Sequence, residues 1–293
     1  MNKIDQLRPG SWVLVEEPTT EELRELAESM SLDEGLLRDG IDPYEVPRME
    51  TDSGNIYVYA RTPHQEGEMM TTAPLLVVLG SDFVMTVSGH RSPILRKMLG
   101  PEENLHTTQK VAMLIRVFSE VVSSYNIFLT DMRKRVRGVS SNLEDITNRD
   151  IMQLVMFENI MNDFLSALIP MNSIISNLLS GKFFKMYEQD HEIIEDLFLG
   201  IGQLIEIAKS TLKTTVNIRE AYSVIMTTNL NKVIKMLTAL TIVLTIPTMI
   251  SSFFGMNVMV PLSQSPYGFS IVVIITVAIA GGLIFIFNRN NWL

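Results

Sequence analysis

The sequence predicts a cytosolic α/β domain that leads through long helices into a C-terminal hairpin of two membrane-spanning helices. Three observations predict it. From Met236 through Asn288 there is no Asp, Glu, Lys, Arg or His, a run that water-soluble domains do not sustain. Strand-like runs are confined to the first hundred residues, and beyond Pro101 apolar residues recur at helical spacing instead. The expected division is therefore an α/β domain over 1–100, a helical region and stalk over 101–235, and a membrane domain over 236–293.

Within the first domain, Trp12 to Val15, Asn55 to Arg61, Leu75 to Leu79 and Phe83 to Val87 read as strands. The last two are joined through Gly80-Ser81-Asp82 as a tight hairpin. Thr19 or Thr20 caps a helix running to Ser29, with Glu22 or Glu21 placed for a capping box. Ahead of this unit, Met1 to Ser11 carries Lys3, Asp5 and Arg8 with no apolar run after them, so neither a cleaved signal nor a transit peptide is expected. Leu105 to Leu179 follows a helical period, with Gly138 and Pro170 as expected breaks or kinks. From about Glu188 to Thr245 only Gly200 and Gly202 intervene, which predicts one long helix running from the cytosol into the first span.

The two spans, Leu237 to Met256 and Phe269 to Phe287, each approach the ~20 residues needed to cross a ~30 Å hydrocarbon core. Asn257 to Gly268, with Pro261 and Pro266, is a short exposed loop between them. Lys209, Lys213, Arg219, Lys232 and Lys235 precede the first span, Arg289 follows the second, and the loop has no basic residue. Both termini are accordingly expected on the cytoplasmic side of the cell membrane. The chain of 293 residues has net charge −9 and no cysteine, which excludes disulfide frameworks and thiolate metal sites and argues against nucleic acid as a partner.

Asn231, Ile234, Thr238, Thr241, Thr245, Thr248, Ser252 and Gly255 advance by alternating steps of three and four, placing a polar or small stripe on one face of the first span. Small and hydroxylated residues also occur where membrane helices merely pack. A hydroxyl column from Thr238 to Ser252 is longer than one packing contact requires, however, and two helices cannot enclose a pore. A channel thus demands a homo-oligomer with this helix inside. With no His, Cys or carboxylate in the span, the column suits a hard hydrated ion, and Mg²⁺, which dehydrates reluctantly, fits best. Helix C-terminal carbonyls would converge near Gly255, where the Asn257 amide oxygen can join them and Gly255 allows an open, left-handed backbone.

Gly255-Met256-Asn257, preceded by Phe253-Phe254 and set between two C-terminal spans, resembles the signature of the CorA-type magnesium channels. The terminal Trp292-Leu293 agrees with it. The resemblance implies a homopentamer, surrounded by membrane lipid, with a cytosolic α/β funnel and long stalk helices that become the pore-lining first span. It implies selectivity at Gly255, Met256 and Asn257, polar pore positions at Asn231 and Thr248, and an inner hydrophobic constriction at Ile234 and Leu237. It also implies Mg²⁺ as both cargo and regulator, with Co²⁺ or Ni²⁺ as poorer permeants. Thr245 stands where the family often has an apolar residue. The loop lacks the acidic residues often found beside the motif, and the tail has only Arg289 in place of a lysine cluster.

A second resemblance lies in Leu37-Arg38-Asp39 and Pro47-Arg48-Met49-Glu50, which run like the family segment holding a cytosolic regulatory metal site. Asp39 matches its aspartate and Asp196 its stalk partner, the two bridging neighbouring subunits to favour a closed state when Mg²⁺ is plentiful. His191, Glu192, Glu195 and Asp196 also form an acidic helix start, and His64, His90, His106 and His191 show no ligand spacing. Ser210 and Lys213 fit a Ser-x-x-Lys pattern without supporting motifs, no catalytic site is expected, and Ala278, Ala280, Gly281 and Gly282 read as a close helix contact. Two alternatives stay open. One is Zn²⁺ transport, although the zinc-transporting relatives usually carry Ile in place of Met256. The other is a membrane-anchored metal sensor that does not conduct.

Overall fold

A computed structural model describes residues 10–67, 69–99, 110–140, 146–181, 188–262 and 264–292. The expected absence of a leader in residues 1–9, the helix start at Leu105, the position of His106 and the terminal Leu293 lie outside these residues. The elements are β1 Ser11–Glu16, α1 Thr20–Met30, α2 Glu34–Asp39, β2 Met49–Asp52, β3 Asn55–Glu66, β4 Met69–Leu79, β5 Phe83–Ser88, α3 Pro93–Met98, α4 Lys110–Ser140, α5 Asn148–Leu179, α6 Glu188–Phe254 and α7 Gly268–Arg289. Two compact units divide at Arg219 and Glu220.

In the first unit the sheet order is β1-β5-β4-β3-β2, with β1 parallel to β5 and the remaining pairs antiparallel. Side chains alternate between its two faces. Tyr57, Tyr59, Leu76, Val78, Met85 and Val87 pack with Leu23, Leu26 and Leu37 of α1 and α2. Val58, Ala60, Leu75, Val77 and Val84 face the opposite way, into a core with α3, α4, α5 and the start of α6. Both faces are thus covered, so the central strands read as nearly continuous apolar runs.

The four expected strands are present, but β3 and β4 extend to Glu66 and back to Met69, and β2 was not expected. Pro63 and Pro74 conceal the extensions in the sequence. Pro74 is tolerated because β5 pairs only with Leu76–Leu79 of β4, leaving Pro74 on a stretch with an open edge that a missing N–H can face. The hairpin closes as expected, with Gly80 N donating to Phe83 O at 3.0 Å. A Cβ at Gly80 would lie 2.2 Å from the Phe83 ring, so any side chain here would have to displace that buried ring.

Thr19, not Thr20, caps α1, completing a capping box with Glu22. Gly138 and Pro170 do not break the chain, because α4 and α5 run through them. An interior proline costs ~3 kcal/mol, and burial of Phe164, Ala167, Leu168, Met171 and Ile175 around it more than offsets this at ~1.5–3 kcal/mol per large apolar side chain. Helix α4 is also long and apolar enough to cross a membrane. Its apolar stripe, including Leu114, Phe118, Val121, Tyr125, Leu129 and Met132, is instead buried in the core, while Asp131, Arg133, Lys134, Arg135 and Arg137 occupy the rest of its surface.

The expected long helix is α6, which continues past Thr245 to Phe254 and runs through Pro247. In the second unit its less exposed positions are Ala239, Ile242, Val243, Ile246, Pro247 and Ile250, and those of α7 are Val272, Thr276, Ala280, Leu283 and Phe287. Each set occupies one helical face. At the start of α7, Gly268 is buried, and a Cβ there would meet Leu262 O at 2.3 Å. The loop therefore requires glycine at this point. After α7 the Trp292 ring stacks on Phe287 at 5.6 Å, and its backbone N–H donates to Phe287 O at 2.9 Å.

Candidate ion pathway and regulatory carboxylates

The stripe on α6 is exposed along its whole length. Asn231, Ile234, Leu237, Thr238, Thr241, Thr245, Thr248, Ser252 and Gly255 all face outward from the single chain. At ~100° per residue the stripe lies across the helix from the half-covered face that includes Ala239, Ile246 and Ile250. A shallow groove of about 510 Å³ runs along it, lined by Thr241, Leu244, Thr245, Thr248, Met249, Ser252 and Phe253. Leu244, Met249 and Phe253 are additions to the expected lining. Their spacing from the threonines carries the signal, but their apolar character hid them.

The hydroxyls have a uniform orientation. Thr238, Thr241, Thr245 and Thr248 each donate the Oγ1 proton to the carbonyl four residues earlier, at 2.8, 2.8, 2.7 and 2.9 Å. The proton is thereby engaged inside the helix, and the oxygen lone pairs are what remain for the exposed side. These four threonines present acceptors, on a segment with no ionisable side chain.

Helix α6 ends immediately before the Gly-Met-Asn tripeptide. Gly255 N donates to Ser251 O and Ser252 O at 3.0 and 3.2 Å, and Met256 N to Phe253 O at 3.4 Å. These turn bonds satisfy three of the carbonyls expected to converge there. Gly255 does not adopt the left-handed backbone the sequence suggested, since it is absent from the residues of positive φ. A Cβ at Gly255 would meet Ser251 O and Ser252 O at 3.4 and 3.6 Å, which is ordinary contact. Neither chirality nor local space within the single chain demands glycine here. Met256 and Asn257 are exposed beyond the helix end.

The two candidate regulatory carboxylates lie apart in the sequence and differ in setting. Asp196 is exposed on α6. Asp39 ends α2 and accepts a hydrogen bond from Arg48 Nη2 at 2.8 Å through Oδ2. Both are oxygen donors of the kind Mg²⁺ takes, and half of the Asp39 carboxylate is already engaged. Among the described residues no group of three or more His, Asp or Glu side chains is placed to hold a metal. Arg48, which follows Pro47 in the second of the two matching segments, is the residue that pairs with Asp39.

A cavity of about 650 Å³ elsewhere in the first unit is lined by Arg61, His64, Glu66, His90 and Asp163, among others. Arg61 bonds to Thr72 Oγ1, Thr72 O, Pro43 O and Glu45 O at 2.6–2.8 Å, so its donors hold the 43–45 segment against β4. The His64 and His90 ring centroids are 4.2 Å apart. Burial, and then the neighbouring His64, hold the His90 pKa below its ordinary value against the opposing pull of Glu16 and Glu17.

A profile of the family described as CorA-like Mg2+ transporter protein matches residues 10–289. The cobalt/magnesium transport protein CorA of Methanocaldococcus jannaschii is 24% identical over 294 residues, covering 96% of this chain and 91% of that protein. The complete structure of the CorA magnesium transporter from the same organism superposes with a TM-score of 0.86 at 21% identity, over 96% of this chain and 91% of that one. Full-length CmaX gives a TM-score of 0.75 at 16% identity, over 98% and 91% of the two chains. The ZntB cytoplasmic domain from Vibrio parahaemolyticus gives 0.60 at 10% identity, over 74% and 88%.

Proposed function

This chain belongs to the CorA-like Mg²⁺ transporter family, whose members move divalent cations and are not enzymes, and from that premise we propose that it is a regulated Mg²⁺ channel working as a homopentamer in the cell membrane. Both termini lie in the cytoplasm in this reading, because the basic residues flank the two spans on one side only. Five copies of α6 surround the pathway, each turning its acceptor column inward.

The observation that carries the proposal is the back-bonded threonine column. Water in the shell of Mg²⁺ points its hydrogens outward, and a surface of acceptors receives them without requiring the ion to dehydrate. A surface of donors would repel the same shell. Asn257 adds an amide oxygen at the mouth, and Gly255, with no side chain, leaves that mouth wide. Ile234 and Leu237 form the apolar constriction at the other end, where a pore can close by excluding water.

The test is ion flux into proteoliposomes, with Mg²⁺, Co²⁺, Ni²⁺ and Zn²⁺ compared. Mg²⁺ is expected to pass best, Co²⁺ and Ni²⁺ more slowly, and Asn257→Ala to reduce Mg²⁺ flux about ten- to a hundredfold. That range corresponds to loss of a hydrogen bond to a charged species at ~1.5–3 kcal/mol. Flux of Zn²⁺ in preference to Mg²⁺ would replace the cargo assignment. Metal binding with no flux of any ion would identify a sensor and remove the channel reading.

A further inference from the structure

Three carboxylates converge on Arg48. Its Nη2 donates to Asp39 at 2.8 Å, its Nε to Glu50 at 2.7 Å, and its Nη1 pairs with Glu45. The guanidinium carbon sits 4.1 Å from the centroid of the Tyr59 ring, a cation–π placement that fixes the plane of the fork. Tyr59 is itself anchored, its hydroxyl donating to Leu36 O at 2.8 Å and its backbone N–H to Arg48 O at 2.8 Å. The end of α2, the following loop and β2 are thus tied to β3 through one side chain.

We propose that Arg48 is a built-in competitor for Asp39, a resident cation that sets how much divalent metal is needed to recruit this carboxylate to the regulatory site. The proposal rests on the reading of Asp39 as half of that site. The Asp39 and Glu50 side chains are 41% and 42% exposed, whereas Glu45 is 15% exposed. Asp39 can turn away from Arg48 while Glu45 and Glu50 keep the guanidinium paired, so the exchange strands no buried charge. With Arg48 in place the three carboxylates carry one compensating charge, and an arriving divalent ion meets less attraction than the sequence alone implies. The threshold for regulation is in this way built into the fold of a single subunit.

The experiment uses the full-length protein, by limited proteolysis across a Mg²⁺ titration in detergent and by half-inhibition of uptake in proteoliposomes. Arg48→Gln is expected to lower both midpoints about three- to tenfold, the order expected for removing one positive charge a few ångströms from a divalent ion in screened solvent. Arg48→Lys, which keeps the charge, stays within about twofold of the parent. Glu50→Gln moves the midpoints upward, since Arg48 then leans more heavily on Asp39. Equal shifts in Arg48→Gln and Arg48→Lys, or an unmoved midpoint in Arg48→Gln, would overturn the proposal. Should Arg48→Gln fail to fold, a Glu50→Gln midpoint that is unchanged or lowered overturns it independently. Asp39→Asn separates the two levels. If it leaves Mg²⁺-dependent protection intact, the sensor reading fails. If it weakens that protection, raising the Mg²⁺ it needs, while Arg48→Gln shifts nothing, only the competitor role fails.

Discussion

Burial and the adjacent His64 ring depress the His90 imidazole, while Glu16 and Glu17 act in the opposite sense and only in part. The His90 Nδ1 also lies 3.2 Å from Ser88 Oγ, so the neutral ring is held at one nitrogen. The sign of the pH effect follows directly. As pH falls past the ordinary histidine value of ~6.5, the unfolded chain takes up the proton before the native one does. This contribution to stability is complete above that value and is lost between it and the lower native pKa. Thermal melts of the full chain are therefore expected to drop on acidification from about pH 7.5 to about pH 5.5. His90→Gln should make the drop smaller. An equally steep drop in the variant would assign the effect to other groups.

At the scale of the element, α6 shows which features of this protein a sequence can reveal. The polar stripe was legible because hydroxyls at alternating steps of three and four contrast with Leu, Ile and Val, and the structure leaves that stripe exposed. The back-bonding of each threonine was not legible, because it depends on a rotamer choice. The strand extensions failed at Pro63 and Pro74, where a residue that disfavours sheets occupies positions without a partner on one side. Gly138 and Pro170 did not end their helices: a single exposed glycine costs only ~1 kcal/mol, and at Pro170 the burial of its helical neighbours offsets the larger cost. The Arg48 ion-pair cluster was not legible, because its partners Asp39, Glu45 and Glu50 come together only after α2 and β2 fold against β3. Cysteines test the two faces of α6, and the absence of native cysteine keeps the background clean. Thr241→Cys, Thr245→Cys and Thr248→Cys are expected to react with small water-soluble thiol reagents and to block flux, whereas Val243→Cys and Ile250→Cys are not. Met249 is unsuitable as an opposite-face control because it lines the same groove as the threonines. Labelling that is equal on both faces would mean the stripe serves packing alone.

For the whole molecule, one chain leaves its acceptor column uncovered, and a column that receives hydrated ions needs partners to enclose it. The proposed homopentamer would supply them, so native mass measurement of the detergent-solubilised protein is expected to give five copies of the 33.1 kDa chain. In the proposed assembly Asp39 and Asp196 would take a role neither has alone. Asp196 is exposed on α6, Asp39 is held by Arg48, and under the proposal each would offer oxygens to a hard divalent ion from two sides of an interface. Two carboxylates facing one another without an ion repel, whereas Mg²⁺ between them favours the packed, closed arrangement by its differential affinity for that state. Replacing both with Asn removes the repulsion and the binding together. The double variant is therefore expected to assemble normally while losing Mg²⁺-dependent protection from protease and Mg²⁺-dependent inhibition of uptake. Each single variant should raise the Mg²⁺ needed for protection. Retention of full protection and inhibition by the double variant would show that these aspartates are not the sensor, and it would direct attention to the exposed Glu188, Glu192 and Glu195 near the start of α6.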